Sequence, residues 1–281
     1  MRTLRSMPPL PDVAARVMAI VGTQEYAMTD LVAVVKTDPA LTTRILKLCN
    51  SSLFGLAREV NSVSEAVTYI GSRNLVKLVL VTCTGSYFRN LPQNDYADPA
   101  QMWQQTLACS TACQALAERV RYPQPSAAFT AGILHNIGRI ALLQVLDPSV
   151  LAMAARELVD TTAQPLEVER RIFGIDHAEA SGIVTDAWNL PMELRRAVRN
   201  HHDDVHIASD DPLTALLHTA DELVMSLGLG DPQPLRPHTP SAAAMQRLAL
   251  GMDELQTVGQ LVETELARVG KLLNPEPALS R

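Results

Sequence analysis

Aromatic and charged side chains are both scarce in this 281-residue sequence, at 4% and 19% of the residues. A core with few aromatic rings must be built from aliphatic side chains, and Ala, Leu and Val recur here at helical spacing. With 47% hydrophobic residues, the chain can bury one large core or two modest cores side by side. The composition therefore predicts a globular all-α protein rather than a β-sheet protein.

Basic stretches and long apolar runs are also lacking. The net charge is -6 and the arginines are scattered among acidic residues, which disfavours nucleic acid as a partner. No apolar run approaches the ~18 residues that would cross a bilayer. Prolines at Pro8, Pro9 and Pro11 stand where a secretory leader would need an apolar segment. We therefore expect a cytoplasmic protein that binds neither nucleic acid nor a membrane.

The chain has only four cysteines, which are not arranged as a disulfide framework. Cys49 and Cys83 stand alone in apolar stretches, whereas Cys109 and Cys113 lie one helical turn apart. Such a pair could hold a metal ion, but buried thiols facing a neighbouring helix are the commoner meaning of this spacing. We therefore expect core thiols in a reducing compartment.

Proline and glycine indicate where helices begin and end. An Asp-Pro pair places a capping carboxylate before a residue whose missing N–H costs nothing at a helix start. Between Pro11 and Phe88 the pattern predicts five helices, with Gly22 and Gly71 as C-terminal stops. Four Asp-Pro pairs mark predicted helix starts, and they begin at Asp38, Asp98, Asp147 and Asp211.

Two further segments divide the chain into regions. The polar stretch Asn90–Asp95 predicts a boundary between an N-terminal helical subdomain, residues 1–92, and a second helical bundle, residues 93–229. A proline-rich linker then leads to C-terminal helices whose role the sequence does not reveal, within residues 230–281. We expect these helices near Ser241–Leu250 and Asp253–Leu273.

Four of the seven histidines and one aspartate form a series in the second predicted bundle. Neutral imidazoles and a carboxylate are ligands that divalent transition metals prefer, and no other segment offers a comparable set. Adjacent histidines lie about 100° apart around a helix, so they converge on one ion most easily at a helix end. The series therefore offers ligands for one divalent transition-metal ion, with His135, His177, His201, His202 and Asp221 as the candidates. The alternative is that these histidines are hydrogen-bonded core groups that hold no metal.

The segments around these residues resemble a known family. The segment Gly132–Arg139 is similar to the signature of the HD phosphohydrolase superfamily, in which a His-Asp dipeptide takes the place of His135-Asn136. Further segments resemble the HDOD (HD-related output domain) branch, and the similarity covers roughly residues 7 to 228. These segments are Met7–Pro11, Asp38–Ser51, Phe173–Gly182, Trp188–Pro191 and His201-His202.

The resemblance implies an all-α fold of two helical subdomains, the second an HD-superfamily-like bundle. It also implies that the five candidate ligands occupy metal-binding positions. Two positions depart from the HD pattern, because Asn136 replaces an aspartate and Gln105 stands where an early histidine is expected. Without the bridging carboxylate two divalent ions would repel each other strongly, so we expect at most one ion and no catalytic residues.

The HDOD resemblance implies a non-catalytic output module that acts in bacterial signalling by binding a regulatory protein or a ligand. The alternative is a metal-dependent phosphohydrolase acting on a nucleotide or cyclic dinucleotide through a metal-bound water. The segment Asp203–Ile207 replaces the Gly-Tyr-Pro element of cyclic-dinucleotide phosphodiesterases, which weakens that activity. His206 and His218 are predicted to be a surface and a packing histidine, respectively.

Overall fold

The computed structural model describes residues 11–21, 27–51, 54, 56, 58–89, 91–92, 94–160, 164–209, 212–229 and 238–273. These residues contain no β-strand, which confirms the predicted all-α fold. They form fifteen α-helices: α1 (Asp12–Val21), α2 (Met28–Lys36), α3 (Pro39–Cys49), α4 (Val63–Arg89), α5 (Pro99–Arg119), α6 (Pro125–Leu134), α7 (Ile137–Val145), α8 (Pro148–Asp160), α9 (Pro165–Phe173), α10 (His177–Ala187), α11 (Met192–Asn200), α12 (Asp204–Ser209), α13 (Pro212–Ser226), α14 (Ala242–Leu248) and α15 (Met252–Leu273).

Aspartates cap the helices that follow Asp-Pro pairs. The Asp38 carboxylate accepts a hydrogen bond from the Leu41 N–H at 2.9 Å, and Asp98 accepts one from the Ala100 N–H at the same distance. Each contact satisfies one of the free N–H groups of a first helical turn. The starts of α8 and α13 at a proline are also as predicted, while Asp211 lies outside the described residues.

A glycine breaks the long helix α4. Gly71 has φ 79° and ψ 160°, a conformation that other residues rarely adopt, so the helix is interrupted there. The predicted stop at Gly71 is thus confirmed, whereas Gly22 lies outside the described residues. Within the part of the chain that the structure describes, no helix combines the length and apolar character needed to cross a bilayer.

The chain divides into two compact units. One is built on Thr84–Gln260 and contains α5 to α14 with the adjoining ends of α4 and α15. The other is built on Leu10–Cys83 and Leu261–Arg281, and includes α1 to α3. All the candidate ligands belong to the unit built on Thr84–Gln260.

Aliphatic side chains form the core of that unit. Helix α5 packs against α6 and α13, and α7 packs against α10. The largest fully buried side chains there are aliphatic, in keeping with the aromatic-poor composition: Met102, Leu116, Ile133, Leu134, Ile137, Ile140, Ile207 and Leu213. This packing brings the ends of α6 and α11 and the middle of α13 together at the candidate site.

Candidate metal centre

Two glycines position the turn that carries His135, between α6 and α7. A Cβ atom on Gly132 would lie 2.4 Å from Ser110 Cα on α5, and one on Gly138 would lie 2.1 Å from Ser181 N on α10. Only glycine permits such close approach of two helices. Ser181 Oγ accepts the Gly138 N–H at 2.8 Å and donates to the His135 carbonyl at 2.7 Å. The turn is therefore fixed from both sides.

Backbone carbonyls fix the tautomers of two buried histidines. His135 Nδ1 lies 2.7 Å from the Gly132 carbonyl, and His201 Nδ1 lies 2.7 Å from the Val198 carbonyl. Because a carbonyl oxygen only accepts, each Nδ1 must carry the proton. Nε2 is then the nitrogen of each ring that could bind a metal ion. Neither Nε2 has a hydrogen-bond partner among the described residues.

A buried glutamate fixes the third imidazole. Glu169 on α9 accepts hydrogen bonds from His177 N at 2.7 Å, from His177 Nδ1 at 2.8 Å and from the Tyr96 hydroxyl. Burial alone would raise the Glu169 pKa, but His177, Arg139 and Tyr96 outweigh it and lower the pKa to about 2. Burial likewise opposes protonation of His177, yet Glu169 raises the pKa of that imidazole. A carboxylate behind a histidine is the usual support of a metal-ligating imidazole.

The structure brings the five predicted ligands together, but in two adjoining groups. The ligand atoms of His177, His201 and His202 lie within 4.8 Å of one another. His135 and Asp221 lie instead in a second group of the same tightness, together with Cys109. The two groups meet where His202 Nε2 lies 3.8 Å from Asp221 Oδ2.

Asp221 on α13 belongs to the second group and also lies next to His202 of the first group. Its Oδ1 lies 3.4 Å from His135 Nε2 and accepts a hydrogen bond from the Gln105 amide at 3.2 Å. Burial alone would raise the Asp221 pKa, but His135, His202 and His201 hold it well below its ordinary value. Asp221 is therefore an anion at neutral pH, in a place that is 6% exposed.

The imidazoles of His201 and His202 are neutral, because burial and neighbouring rings disfavour their protonated forms. Burial and the neighbouring rings of His135 and His177 lower the His201 pKa to about 3. Burial and the rings of His201 and His177 lower the His202 pKa well below its ordinary value. A neutral imidazole is the form that binds a metal ion, so both rings are ready to bind without losing a proton.

The remaining histidines of this region have other partners. His218 Nδ1 donates to the His201 carbonyl at 3.0 Å, and its Nε2 accepts the Ser241 N–H at 3.1 Å. Both ring nitrogens are thus in use, as expected of a packing histidine, although a ligand atom of His218 also lies within 4.8 Å of ligand atoms of His202 and Glu222. His206 is 41% exposed at its side chain and lies 3.1 Å from Asp203, as expected of a surface residue.

These contacts fit a single metal ion. Imidazoles that follow the ends of α6 and α11 lie beside the buried carboxylate of Asp221. The donor set of nitrogen, carboxylate and sulfur suits zinc or a similar ion. Two ions fit poorly, because position 136 offers a neutral amide where a two-ion site needs a bridging anion.

Comparison with known sequences identifies the family. Residues 7–204 match the sequence profile of the HDOD domain, which covers more than half of the chain. The chain belongs to the HDOD family. The resemblance that the sequence motifs indicated is therefore confirmed.

Relatives of this HDOD chain are known in bacteria. An uncharacterized protein of Treponema pallidum (strain Nichols) is 26% identical over 209 residues, which are 71% of this chain and 38% of that protein. The chain thus spans well under half of that relative's length.

Solved structures share the HDOD fold. A structure from Marinobacter aquaeolei VT8, provisionally named a signal transduction protein, has a TM-score of 0.79 at 24% identity and covers 96% of this chain and 59% of that one. A structure from Shewanella amazonensis SB2B, provisionally named a phosphohydrolase, has a TM-score of 0.72 at 22% identity and covers 97% and 95%. An HDOD domain protein of unknown function from Geobacter sulfurreducens has a TM-score of 0.72 at 20% identity, covering 95% and 91%.

Two residues of this HDOD site were missed as site residues by the sequence analysis. Glu169 lies on a separate helix from the histidine it supports, and a lone glutamate among charged residues gives no signal. The sequence analysis predicts Cys109 to be a core thiol, although it follows Gln105 by one helical turn and so shares its face of α5. That shared face was the available signal.

Proposed function

We propose that the chain is a non-catalytic output module of bacterial signal transduction that acts by binding a regulatory protein or a ligand. Membership of the HDOD family supports a signalling role, as does the provisional name of the Marinobacter protein. The partner is a signalling protein, and its identity is left to experiment. The site contributes a buried polar core that holds a single divalent ion.

The proposal rests chiefly on what Gln105 does. It stands where an HD hydrolase would place an early imidazole, and its amide nitrogen donates to Asp221 Oδ1 at 3.2 Å. The NH2 group of a side-chain amide donates hydrogen bonds and has no lone pair available to a metal ion. Gln105 thus uses one face of the carboxylate as a hydrogen-bond acceptor. Asn136 adds no charge, so Asp221 is the one carboxylate matched to a hydrolase ligand position.

Access to the site also argues against turnover. His135 and His201 are fully buried, and His202, the most exposed of the five candidate ligands, shows 16% of its side chain. A phosphoester must reach a metal-bound water to be hydrolysed. This arrangement favours an ion that links helices over an ion that meets a substrate.

The nearby arginines are paired elsewhere. Arg195 and Arg199, which precede His201 on α11, form ion pairs with Asp186, in the first case at 3.1 Å. A hydrolase would need such cations to hold the phosphate group of its substrate. Their pairing with Asp186 favours a charged helix face over a phosphate-binding site.

The second candidate function is a metal-dependent phosphohydrolase. The Nε2 atoms of His135 and His201 favour it, because they are the groups that a catalytic ion would need. When bound, such an ion would lower the pKa of its water and stabilise charge on the phosphoester oxygens. The residues present could hold that ion through His135, His201 and Asp221.

The two functions are separated by activity. The full chain is purified without chelator, its metal content is measured, and it is tested on linear and cyclic dinucleotides, nucleotides and aryl phosphates with added zinc or manganese. We expect no turnover with any of them. Hydrolysis at enzyme-like rates that is lost on chelation would overturn the non-catalytic proposal.

Restoring the missing ligands tests the reason for inactivity. Asn136→Asp should tighten divalent-metal binding, and adding Gln105→His should tighten it further. Zinc or manganese should then raise the melting temperature of the double variant more than that of the wild type, since the ion binds the folded state. Gln104→His, an exposed change at the neighbouring position, is the matched control. Unchanged metal affinity in both site variants would contradict the explanation that activity is absent because ligands are missing at positions 105 and 136.

Partner binding is tested by crosslinking in the cells that make the protein. A captured regulatory protein supports the proposal only if the two purified components bind each other. Absence of such a partner together with phosphoester turnover would favour the hydrolase.

A further inference from the structure

We infer that Cys109 is a ligand of the bound ion, and that Cys109, His135 and Asp221 form a thiolate metal site of the zinc class. The inference concerns the single ion of the proposed function and rests on that proposal for the presence of an ion. It adds a sulfur ligand that the HD pattern does not contain. It also places the ion at the sulfur group rather than among the three imidazoles His177, His201 and His202.

Helix packing brings the thiol to the site. Cys109 lies one turn after Gln105 on α5, and both are buried, at 0% and 5% exposure. A Cβ on Gly132 would lie 3.0 Å from the Cys109 carbonyl carbon, so α6 approaches α5 at this very turn. His135 follows Gly132 by three residues. Cys109 Sγ, a ring nitrogen of His135 and an oxygen of Asp221 consequently all lie within 4.8 Å of one another.

His135 points to a cation between these groups. Its Nδ1 lies 2.7 Å from the Gly132 carbonyl and carries a proton, so Nε2, which lies 3.4 Å from Asp221 Oδ1, is the ring nitrogen that faces the carboxylate. A cation between these two atoms, either a proton on Nε2 or a metal ion, gives both of them a partner. The ring is 0% exposed, and no described residue gives Nε2 a hydrogen bond.

Charge favours this group over the three imidazoles. A thiolate and a carboxylate together neutralise a divalent ion, whereas the group of His177, His201 and His202 contains no anionic ligand atom. Metal binding displaces the thiol proton to solvent, because sulfur ligates as the thiolate. Sulfur, nitrogen and carboxylate ligands together suit zinc far better than magnesium or calcium. A fourth ligand is available in His201, whose ring centroid lies 5.6 Å from that of His135.

The test loads the full chain with one equivalent of zinc or cobalt in a non-thiol reductant. In the zinc form, X-ray absorption should show a Zn–S distance of about 2.3 Å beside shorter Zn–N and Zn–O distances. The cobalt form should show a sulfur-to-metal charge-transfer band in the near ultraviolet. Cys109→Ser should remove both signals and weaken zinc binding by roughly 100-fold or more.

Matched variants make the assignment specific. Cys113→Ser is the control, because Cys113 is also 0% exposed on α5 but belongs to no candidate ligand group. It should keep the sulfur signals, and so should His177→Ala. If Cys109→Ser folds poorly, the test rests on the wild type and Cys113→Ser together: both should show the sulfur signals, and their absence from the wild type would overturn the proposal.

The outcomes separate the two proposals. An ion bound through nitrogen and oxygen alone, or sulfur signals that survive Cys109→Ser, would overturn the sulfur site and leave the single-ion proposal intact. Loss of metal in His177→Ala but not in Cys109→Ser would do the same. If the wild type binds neither zinc nor cobalt, both the sulfur site and the single ion are wrong. The phosphoester assay tests the non-catalytic proposal independently.

Discussion

Replacing Glu169 by Gln removes the charge that fixes His177 while keeping the shape of the side chain. The carboxyl pKa is lowered from its ordinary value of 4.5 to about 2, although the group is buried and 1% exposed. At about 1.4 kcal/mol per pH unit, this lowering corresponds to about 3 kcal/mol of stability from the ionised form. We therefore expect Glu169→Gln to lower the free energy of unfolding by about 3 kcal/mol, within the range for breaking a buried pair.

The effect should depend on pH in a defined way. Because the Glu169 pKa is depressed, its contribution is present above pH 4.5 and is lost as the pH falls toward 2. The His177 pKa is raised, so its contribution is complete below its ordinary value of 6.5 and is lost as the pH rises through the folded value. The difference between wild type and variant should therefore be greatest between pH 4.5 and 6.5.

Urea denaturation followed by circular dichroism, with a chelator present to remove metal, measures this difference. Glu157→Gln is the matched control: it makes the same chemical change in a surface pair with Arg171, whose side chain is 53% exposed. Surface pairs contribute about 0–1 kcal/mol, so the control should change stability little. A loss below about 1 kcal/mol for Glu169→Gln near pH 5.5, or a loss equal to that of the control, would refute the reasoning.

Three further predictions concern the buried histidines, the contact between α7 and α10, and zinc binding. The His201 pKa is lowered to about 3 and the His202 pKa is also lowered, so below pH 6.5 these rings bind protons in the unfolded chain but not in the native one. The stability of the metal-free protein should therefore fall on acidification by up to about 1.4 kcal/mol per pH unit for each ring. Constant stability between pH 6.5 and 5 would contradict this. Gly138→Ala would place a Cβ atom 2.1 Å from a backbone nitrogen of α10, so it should lower the free energy of unfolding by about 3 kcal/mol or more. A loss below about 1 kcal/mol would show that α7 and α10 can move apart easily. His135→Ala should abolish zinc binding measured by calorimetry, whereas His206→Ala, at an exposed position, should leave zinc binding unchanged. Equal zinc occupancy in the two variants would disprove the ligand assignment.

Much of the fold could be predicted because its signals are local. An Asp-Pro pair determines a helix start through contacts within one turn, as at Asp38 and Asp98, and the carboxylates do cap α3 and α5. Gly71 likewise breaks α4 through its own backbone conformation. The C-terminal helices, predicted near Ser241–Leu250 and Asp253–Leu273, are found at Ala242–Leu248 and Met252–Leu273.

The candidate site was predicted less completely, because its details depend on contacts between distant residues. The sequence indicated that His135 and His201 stand at helix ends, and both directly follow a helix. It could not indicate that the five candidate ligands fall into two groups, since that depends on how α5, α6 and α13 pack. Gln105 was recognised as a departure from the HD pattern, yet its hydrogen bond to Asp221 spans 116 residues of sequence.

That hydrogen bond gives the buried Asp221 carboxylate a partner that is not a metal ion. A buried carboxylate without a partner would cost several kcal/mol, so Asp221 needs either a cation or donors beside it. Gln105 supplies a neutral donor at 3.2 Å on one oxygen, and the imidazoles surround the rest of the group. Asp221 is thus stabilised in the metal-free state, and it keeps lone pairs for a cation because each carboxylate oxygen can accept more than one contact. The Gln105 amide therefore gives the buried Asp221 carboxylate a donor that does not depend on metal.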